Sequence, residues 1–216
     1  MSKRRTAVLI SGNGSNLQAL IDDFSDAEHP GTLSLVLSNR AHAFGLTRAT
    51  RANIPTVVTS HKGYTSREDY DAELVRILKE HQIEWVVLAG FMRILTPIFI
   101  EAFPNRIINI HPALLPSFRG LNGPAQAIEA GVKIAGASVH LVSPEMDAGP
   151  LLIQGAVHVR ADDTVDSLKK RILAVEHLIL PKAARWACGG RIALHEGGVS
   201  VNLPPGDTQS IFLNSL

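Results

Sequence analysis

Short apolar runs alternate along the chain with longer segments in which apolar residues recur every three or four positions. The runs are rich in β-branched residues and apolar on both faces, which is typical of strands that helices cover on both sides. They predict strands at residues 7–10, 34–37, 56–58, 85–89, 107–110, 137–142 and 151–159. The alternation predicts a Rossmann-like α/β fold: a mainly parallel twisted sheet with helices on both faces and a smaller, mixed C-terminal part.

Start and stop signals predict two helices in the interior of the chain. Ser66 and Asp69 resemble a capping box for a helix over residues 66–81, whose apolar residues fall on one face. A short helix is predicted from Pro124 to the residue before Gly131, because proline suits the first position of a helix.

The last third of the chain is expected to hold a long helix and an irregular tail. The helix should follow Asp163 as its N-cap and run to about Leu180, where Pro181 perturbs it. From Gly189 onward the sequence is rich in glycine and proline. This composition predicts a loose hairpin and a frayed C-terminus.

Composition narrows the class of protein. The 216 residues fit a single domain, with residues 1–105 as a phosphate- or nucleotide-binding half, 106–190 as the half that carries the chemistry and 191–216 as a tail. Hydrophobic residues make up 45% of the chain, which is enough to form a core. The net charge of +1 argues against sequence-independent binding of nucleic acid, which needs clustered cations.

Cysteine use and apolar run length indicate a cytoplasmic protein. Cys188 is the single cysteine, so an internal disulfide is excluded and a reducing compartment fits. The longest apolar run, residues 85–92, is far shorter than the roughly 20 residues of a membrane span. Residues 7–10 are too few for the apolar core of a signal peptide. We therefore expect a soluble cytoplasmic protein that does not cross a membrane.

A glycine-rich sequence, Ser-Gly-Asn-Gly-Ser-Asn at residues 11–16, lies between the first strand and the first helix. Such a loop directs backbone N–H groups at one point, where the helix dipole also favours an anion. We call residues 11–16 the glycine loop and expect it to bind a phosphate. A dinucleotide fingerprint would need a third glycine where Leu17 stands. Arg40, after the second strand, could still bind a 2′-phosphate. The missing glycine weakens the case for an NADP site, but that alternative stays open.

Asn109 and His111 interrupt an isoleucine-rich strand at its carboxyl end. Residues two apart on a strand project to the same face, and open α/β sheets bind their ligands at this edge. An asparagine amide suits a developing oxyanion, and a histidine can move a proton near neutral pH. Asp147 lies in a loop that should return to the same edge, where it could orient the histidine.

Five segments together resemble the phosphoribosylglycinamide formyltransferases, members of the folate-dependent formyl transferases. The segments are residues 10–19, 86–95, 109–112, 138–140 and 147–150. The resemblance covers roughly residues 7–181 and implies transfer of a formyl group from 10-formyltetrahydrofolate to the amine of glycinamide ribonucleotide, in de novo purine synthesis. The products would be formylglycinamide ribonucleotide and tetrahydrofolate.

The resemblance also implies residue roles. A tetrahedral oxyanion would be stabilised by Asn109 and His111 with the assistance of Asp147. The substrate's phosphate and ribose would be bound by Gly14, Ser15, Asn16 and Glu176. The folate would contact Arg67 at its acidic end, and otherwise Met92, Arg93, Ile94, Leu95, Ser143, Pro144, Glu145 and Met146. It implies small-molecule substrates, no metal, no nucleic acid and no membrane, for a monomer or homodimer.

One segment departs from the family pattern. Many members have a histidine after the active-site strand, where this chain has Gly-Leu-Asn-Gly-Pro at residues 120–124. Asn122 stands in place of that imidazole, so the resemblance does not extend to an accessory proton role at this position.

Four other readings stay open at the level of sequence. Water could replace the amine as acceptor, as in a deformylase. His111, His140 and Asp147 could form a two-histidine, one-carboxylate metal site of a hydrolase. The glycine loop could serve an NADP-dependent oxidoreductase or a non-enzymatic phosphate-binding module. His140 is either a core residue or a partner of the site. The other histidines are expected at the surface or in loops: His29, His42, His61, His81, His158 and His195.

Overall fold

The computed structural model describes residues 2–196 and 198–213. The chain forms two compact units, of which the first ends at Asn109 and the second starts at Ile110. The organisation of residues 1–216 as a single domain with a boundary near residue 105 stays a prediction.

The first unit is a parallel sheet with intervening helices. Its strands are β1 (Arg4–Ile10), β2 (Gly31–Ser38), β3 (Thr56–Val58), β4 (Trp85–Leu88) and β5 (Ile107–His111), the last of which runs on into the second unit. Its helices are α1 (Ser15–Phe24), α2 (Phe44–Arg51), α3 (Arg67–Glu80) and α4 (Pro97–Ala102), with a 3₁₀ turn at His61–Gly63. The strands pair in parallel in the order β3-β2-β1-β4-β5.

Strand β1 lies in the middle of this sheet. Its last four residues, Ala7 to Ile10, are completely buried, as expected for a strand with neighbours on both edges. The chain continues from β1 to β2 on one side, whereas β4 lies on the other. The carboxyl end of β1 is therefore a topological switch point, where open α/β sheets bind ligands. The glycine loop starts there.

The second unit has a smaller sheet, whose strands run in mixed directions. It contains α5 (Gly123–Glu129), β6 (Ile134–Leu141), β7 (Leu151–His158), α6 (Val165–Cys188), β8 (Ile192–His195), β9 (Gly198–Val201) and β10 (Ser210–Leu213). Strands β6 and β7 are antiparallel, and β10 joins β7 in parallel. Helix α6 packs directly on β7, because a Cβ at Gly155 would lie 2.0 Å from Cγ1 of Val175. The Rossmann-like α/β fold with a mixed C-terminal part is confirmed.

The long helix differs from its prediction at both ends. Its N-cap is Thr164, not Asp163: the Thr164 hydroxyl accepts the Ser167 N–H at 3.1 Å, and the Ser167 hydroxyl accepts the Thr164 N–H at 3.0 Å. It also continues through Pro181 to Cys188. The final turns bury Trp186, and burial of an indole offsets the roughly 3 kcal/mol that a proline costs inside a helix.

The C-terminal tail is more regular than expected. The antiparallel pair β8 and β9 forms the predicted hairpin. Residues 210–213, predicted to fray, instead form β10, which follows Asp207. The carboxylate of Asp207 accepts a hydrogen bond from Trp186 Nε1 at 2.9 Å and pairs with Lys182 on α6. Residues 214–216 of the predicted frayed end lie outside the described residues.

A membrane-spanning helix would need a long apolar stretch. None of the helices formed by residues 2–196 and 198–213 combines the necessary length and apolarity.

Candidate active site

The glycine loop leads from β1 into α1. Gly14 precedes the helix with φ 75°, a left-handed conformation that glycine adopts most easily. In the described part of the chain no side chain caps α1, so an anion can take the place of the cap near Ser15 and Asn16. This end of the first unit is therefore suited to bind a phosphate.

Arg48 on α2 holds the glycine loop in place. Its Nε donates to the backbone oxygen of Asn13 and its Nη2 to the side-chain oxygen of the same residue, each at 3.0 Å. The Gly45 N–H donates to the Gly12 oxygen at 3.1 Å. A Cβ on Gly14 would lie only 2.7 Å from Gly45 Cα, so α1 and α2 meet at a pair of glycines. These contacts fix the backbone that would surround a phosphate.

Ser11 connects the glycine loop to the segment that follows β4. The Ser11 N–H donates to the Gly90 oxygen at 3.1 Å, and the Ser11 hydroxyl accepts the Met92 N–H at 2.9 Å. The same hydroxyl donates to Asn39 Oδ1 at 2.7 Å. The loops after three neighbouring strands thereby share one hydrogen-bonded serine.

The segment of residues 92–96, named here the 92–96 segment, contains four of the predicted folate contacts. Met92 and Ile94 are 59% and 57% exposed, which is unusual for apolar side chains of this size. The Arg93 guanidinium carbon lies 4.6 Å from the centre of the Tyr70 ring, a cation–π contact. Burial raises the pKa of Tyr70 to about 12, so its ring stays neutral beside the cation.

Two other predicted folate contacts differ in exposure. Leu95 is buried and anchors the 92–96 segment, whereas Arg67 at the start of α3 is exposed. Arg67 Nη2 donates to the backbone oxygen of Ile94 at 2.6 Å. The guanidinium therefore lies beside exposed apolar side chains, an arrangement suited to an aromatic ligand that carries an acidic group.

His111, at the end of β5, is held between two oxygen atoms. Its Nε2 lies 2.9 Å from the Phe118 backbone oxygen, and since a carbonyl can only accept, Nε2 carries the hydrogen. Its Nδ1 lies 3.4 Å from Asp147 Oδ2. A doubly protonated imidazolium has two N–H donors for these two acceptors. Both ring nitrogens therefore face oxygen atoms.

Asp147 lies between two imidazoles of the second unit. Its Oδ2 accepts the Gly120 N–H at 2.9 Å, and its Oδ1 is 3.8 Å from His140 Nε2. His140 Nδ1 donates to the Leu141 oxygen at 2.9 Å. Burial lowers the pKa of His140 below its usual value, although the nearby Asp147 carboxylate opposes this shift. His140 is thus a neighbour of the His111–Asp147 pair as well as a core residue.

A buried polar network supports the loop that follows His111. The Ser138 hydroxyl donates to the Ala113 oxygen at 2.7 Å and accepts the Leu115 N–H at 3.0 Å. Gln154 Nε2 donates to the Leu115 oxygen at 3.0 Å. Strands β6 and β7 thereby fix the loop whose Phe118 oxygen contacts the catalytic candidate.

The other predicted residues of the second unit are mostly exposed. The Ser143 hydroxyl donates to the Glu145 oxygen at 3.0 Å, and the Glu145 side chain pairs with Arg119 at 2.6 Å. Pro144 and Met146 are exposed, whereas Glu176 on α6 is only 7% exposed. Burial of a carboxylate on a helix is costly unless hydrogen bonds or an opposite charge satisfy it. The burial of Glu176 therefore distinguishes it from an ordinary surface charge.

The structure brings some of the predicted residues together. In the second unit, His111 and Asp147 are adjacent. Asn109 is half-buried and lies two residues before His111 on β5, so their side chains leave the strand on the same side. In the first unit, Ser11 links the glycine loop to Met92. The functional roles of these residues stay predictions.

Sequence reasoning did not find several supporting groups. Ser11, Arg48 and Ser138 each bind backbone atoms as well as a side chain, and a backbone partner has no signature in a residue pattern. The Phe118 oxygen and the Gly120 N–H are themselves backbone atoms, so a residue pattern could not identify them either.

The metal-site reading of His111, His140 and Asp147 needs three ligands directed at one point. Among residues 2–196 and 198–213, no group of three or more His, Cys, Asp or Glu side chains is arranged to hold a metal ion. The geometry therefore offers this reading no support.

The first unit has the glycine loop at the switch point of a parallel sheet, and the second has an imidazole–carboxylate pair. These features define an α/β protein with a candidate anion-binding loop and a candidate proton-transfer pair. A family model described as formyl transferase matches residues 4–184, which is most of the chain. The chain therefore belongs to the formyl transferase family.

Curated relatives agree in sequence over most of the chain. Phosphoribosylglycinamide formyltransferase of Escherichia coli K12 is 45% identical over 201 residues, which are 92% of this chain and 95% of that enzyme. The human trifunctional purine biosynthetic protein adenosine-3 is 45% identical over 91% of this chain. This chain spans only 14% to 20% of the length of the trifunctional relatives it matches.

Solved structures agree with the fold. A phosphoribosylglycinamide formyltransferase from Anaplasma phagocytophilum superposes with a TM-score of 0.92 at 43% identity, with all of both chains covered. Glycinamide ribonucleotide transformylase 1 from Symbiobacterium toebii gives a TM-score of 0.90 at 45% identity, covering 92% of this chain and 94% of that one.

Proposed function

We propose that this chain transfers the formyl group of 10-formyltetrahydrofolate to the amine of glycinamide ribonucleotide in de novo purine synthesis. The products are formylglycinamide ribonucleotide and tetrahydrofolate. The observation that carries this proposal is the 45% identity to the E. coli phosphoribosylglycinamide formyltransferase along nearly the whole of both chains. A match of that extent supports the named reaction better than any reading based on one loop.

The residues in the predicted folate region fit such a donor. Met92 and Ile94 offer exposed apolar surface for a flat ring, and Arg67 and Arg93 offer positive charge for an acidic tail. In this proposal the pterin contacts the backbone of Ser143, Pro144, Glu145 and Met146, and Leu95 is a further contact of the donor. The bound donor supplies the formyl carbon, and its N10 leaves with a proton.

The residues in the predicted substrate region fit a ribonucleotide. The N-terminus of α1, with Gly14, Ser15 and Asn16, would hold the phosphate through backbone N–H groups and the helix dipole. The buried carboxylate of Glu176 would accept hydrogen bonds from ribose hydroxyls.

The chemistry is an acyl transfer in which the substrate amine is the nucleophile. The amine nitrogen bonds to the formyl carbon, the carbonyl oxygen gains negative charge, and the bond from the formyl carbon to the leaving nitrogen then breaks. Asn109 would donate to that oxygen, a contact whose removal typically costs about 10²–10³ in rate. The amine loses one proton and the leaving nitrogen gains one, so proton transfer through His111, oriented by Asp147, balances the reaction.

We expect no metal requirement, because an amine is already a nucleophile and the proposed oxyanion partners are an amide and an imidazolium. The proposed partners are small molecules, without nucleic acid or membrane. A cytoplasmic monomer or homodimer is the expected state of the protein.

The testing experiment is a spectrophotometric assay with 10-formyl-dideazafolate, a stable formyl donor. The purified chain is treated with a chelator and assayed with and without glycinamide ribonucleotide, in the absence of nicotinamide cofactors. We expect turnover only when the amine is present. Formate release without the amine would assign a hydrolase instead. Absence of turnover in both samples would contradict the proposal.

A further inference from the structure

Helix α3 directs one face toward the 92–96 segment. Tyr70 and Asp71 follow Arg67 by three and four positions, so both lie beside it on that side of the helix. Each contacts a different part of the segment: Arg67 the Ile94 oxygen, Tyr70 the Arg93 guanidinium, and Asp71 the Thr96 N–H. The segment is therefore attached to the helix along most of its length.

Asp71 is the most unusual of these three residues. It is 1% exposed, and its Oδ2 accepts the Thr96 N–H at 2.6 Å. Burial raises the pKa of the Asp71 carboxyl above its usual value, against the Thr96 hydrogen bond and the charges of Arg93 and Arg67. A carboxylate in a core is costly unless its bonds and charges are satisfied, and here the satisfying groups all belong to α3 or to the 92–96 segment.

Arg93 depends on the same surroundings. Its Nε is buried and has no hydrogen-bond partner among the described residues, although its guanidinium lies against Tyr70. The Asp71 carboxylate is one of the charges that act on this arginine. Without that carboxylate, Arg93 would lose a buried opposite charge.

We propose that Asp71 is a positioning residue for the formyl donor: it fixes the backbone of the 92–96 segment at Thr96 and supplies the counter-charge that holds Arg93 in place. The inference rests on the proposed function, because it assigns the 92–96 segment to the donor. Asp71 itself does not contact the donor. It acts through the segment, so its loss changes donor binding more than the chemical step.

The first test compares Asp71→Asn with Glu73→Gln. Both replace a carboxylate by its amide on α3, but Glu73 pairs with Arg76 on the same helix. For Asp71→Asn we expect the KM of the donor to rise about tenfold, because small displacements of binding groups have effects of this size or larger. The KM of glycinamide ribonucleotide and kcat should change less than threefold. A donor KM within twofold of the parent value, or equal rises in both KM values, would overturn the inference.

A second variant removes the other partner of the contact. Thr96→Pro removes the N–H that donates a hydrogen bond to Asp71. The φ of Thr96, −86°, lies near the range of proline, so the substitution fits the backbone. It leaves the carboxylate in place and should also raise the donor KM selectively. This variant keeps the inference testable if Asp71→Asn fails to fold.

Hydrogen exchange separates this inference from the proposed function. We expect Asp71→Asn to speed amide exchange in peptides that cover residues 91–99, with no such change in Glu73→Gln. Faster exchange in a protein whose parent does not use the donor would contradict the proposed function, and it would leave only the fixing of the 92–96 segment by Asp71 supported. Unchanged exchange together with normal parent activity would overturn the role of Asp71.

Discussion

At the scale of single residues, the position of His111 between two oxygen atoms determines what its removal should do. Its Nε2 donates to the Phe118 oxygen and its Nδ1 faces Asp147, so removal of the ring breaks both contacts. We expect His111→Asn to lower kcat about 10²–10⁴-fold, the usual contribution of a general acid–base group. The dideazafolate assay measures this loss directly.

The matched control is His42→Asn, the same substitution at an exposed histidine. It should leave kcat unchanged. A kcat of His111→Asn within threefold of the parent would remove His111 from the mechanism, and a similar fall in both variants would point to a general effect on folding.

A substitution at Arg48 tests the proposed role of the glycine loop in phosphate binding. Because its guanidinium holds both oxygens of Asn13, we expect Arg48→Gln to raise the KM of glycinamide ribonucleotide about tenfold by loosening the phosphate site. The donor KM should change less than twofold. The control is Arg51→Gln, on the same helix but exposed. Equal KM values for glycinamide ribonucleotide in both variants would contradict the assignment.

Residue patterns identified the candidate catalytic side chains better than they identified the groups that position those side chains. Asn109 and His111 stand out because polar residues interrupt an apolar strand. His29 was expected at the surface or in a loop; it lies in the loop between α1 and β2 but is only 1% exposed, with its ring 3.7 Å from that of Phe24 and its Nδ1 accepting the Gly31 N–H at 2.9 Å. Such burial depends on which loop folds over the side chain, and a local pattern does not contain that information.

At the scale of elements, the start of α6 offers a test of stability. Asp163 accepts hydrogen bonds from the Ser167 hydroxyl at 2.6 Å and the Arg160 N–H at 2.8 Å, and pairs with Arg171. The Arg171 guanidinium holds the pKa of Asp163 well below its usual value. Charge-assisted contacts of this kind stabilise the folded chain, so Asp163→Asn should lower the melting temperature by roughly 5 °C at pH 7.

The pH dependence has a definite sign. Because the folded-state pKa of Asp163 is lowered, its contribution is complete above the unfolded-state value of about 3.9 and is lost as pH falls through the folded-state value. The difference between parent and Asp163→Asn should therefore be constant from about pH 8 to 5 and narrow below about pH 4. Thermal unfolding at several pH values measures it, with exposed Asp162→Asn as control. A difference that grows toward low pH would contradict this account.

The same helix explains two errors of prediction. Local signals suggested Asp163 as N-cap and an end near Pro181, and both are reasonable for an isolated segment. In the folded chain, Asp163 is engaged by Arg171, two turns further on, and Trp186 is buried beyond the proline. The C-terminal strand depends on the same turns, since Asp207 contacts Trp186. Long-range contacts decided these features, and they are not visible in a local pattern.

At the scale of the molecule, the α/β class could be predicted because alternating buried runs and helical segments leave few other solutions. Strand order could not, since every strand of the first unit has a similar apolar pattern. The observed order β3-β2-β1-β4-β5 creates the switch point at β1 and lets Ser11 connect the glycine loop to Met92. The proximity of two predicted binding regions is thus a consequence of topology.

Phosphate binding and proton transfer are expected to separate in the molecule, since the glycine loop belongs to the first unit and His111 to the second. Glycinamide ribonucleotide at about 100 times its Kd should stabilise the folded chain by about 2.7 kcal/mol. For a chain of this length, that corresponds to a rise in melting temperature of roughly 5–10 °C. His111→Asn should keep this rise although its kcat is lost.

Arg48→Gln should show about half of that rise at the same ligand concentration, because a tenfold weaker Kd removes about 1.4 kcal/mol. Inorganic phosphate at equal concentration serves as the control for non-specific stabilisation by an anion. If His111→Asn abolished the ligand-induced shift while Arg48→Gln retained it in full, phosphate recognition would have to be moved away from the glycine loop. The comparison of the two variants therefore tests whether the glycine loop binds the phosphate while His111 serves the chemical step.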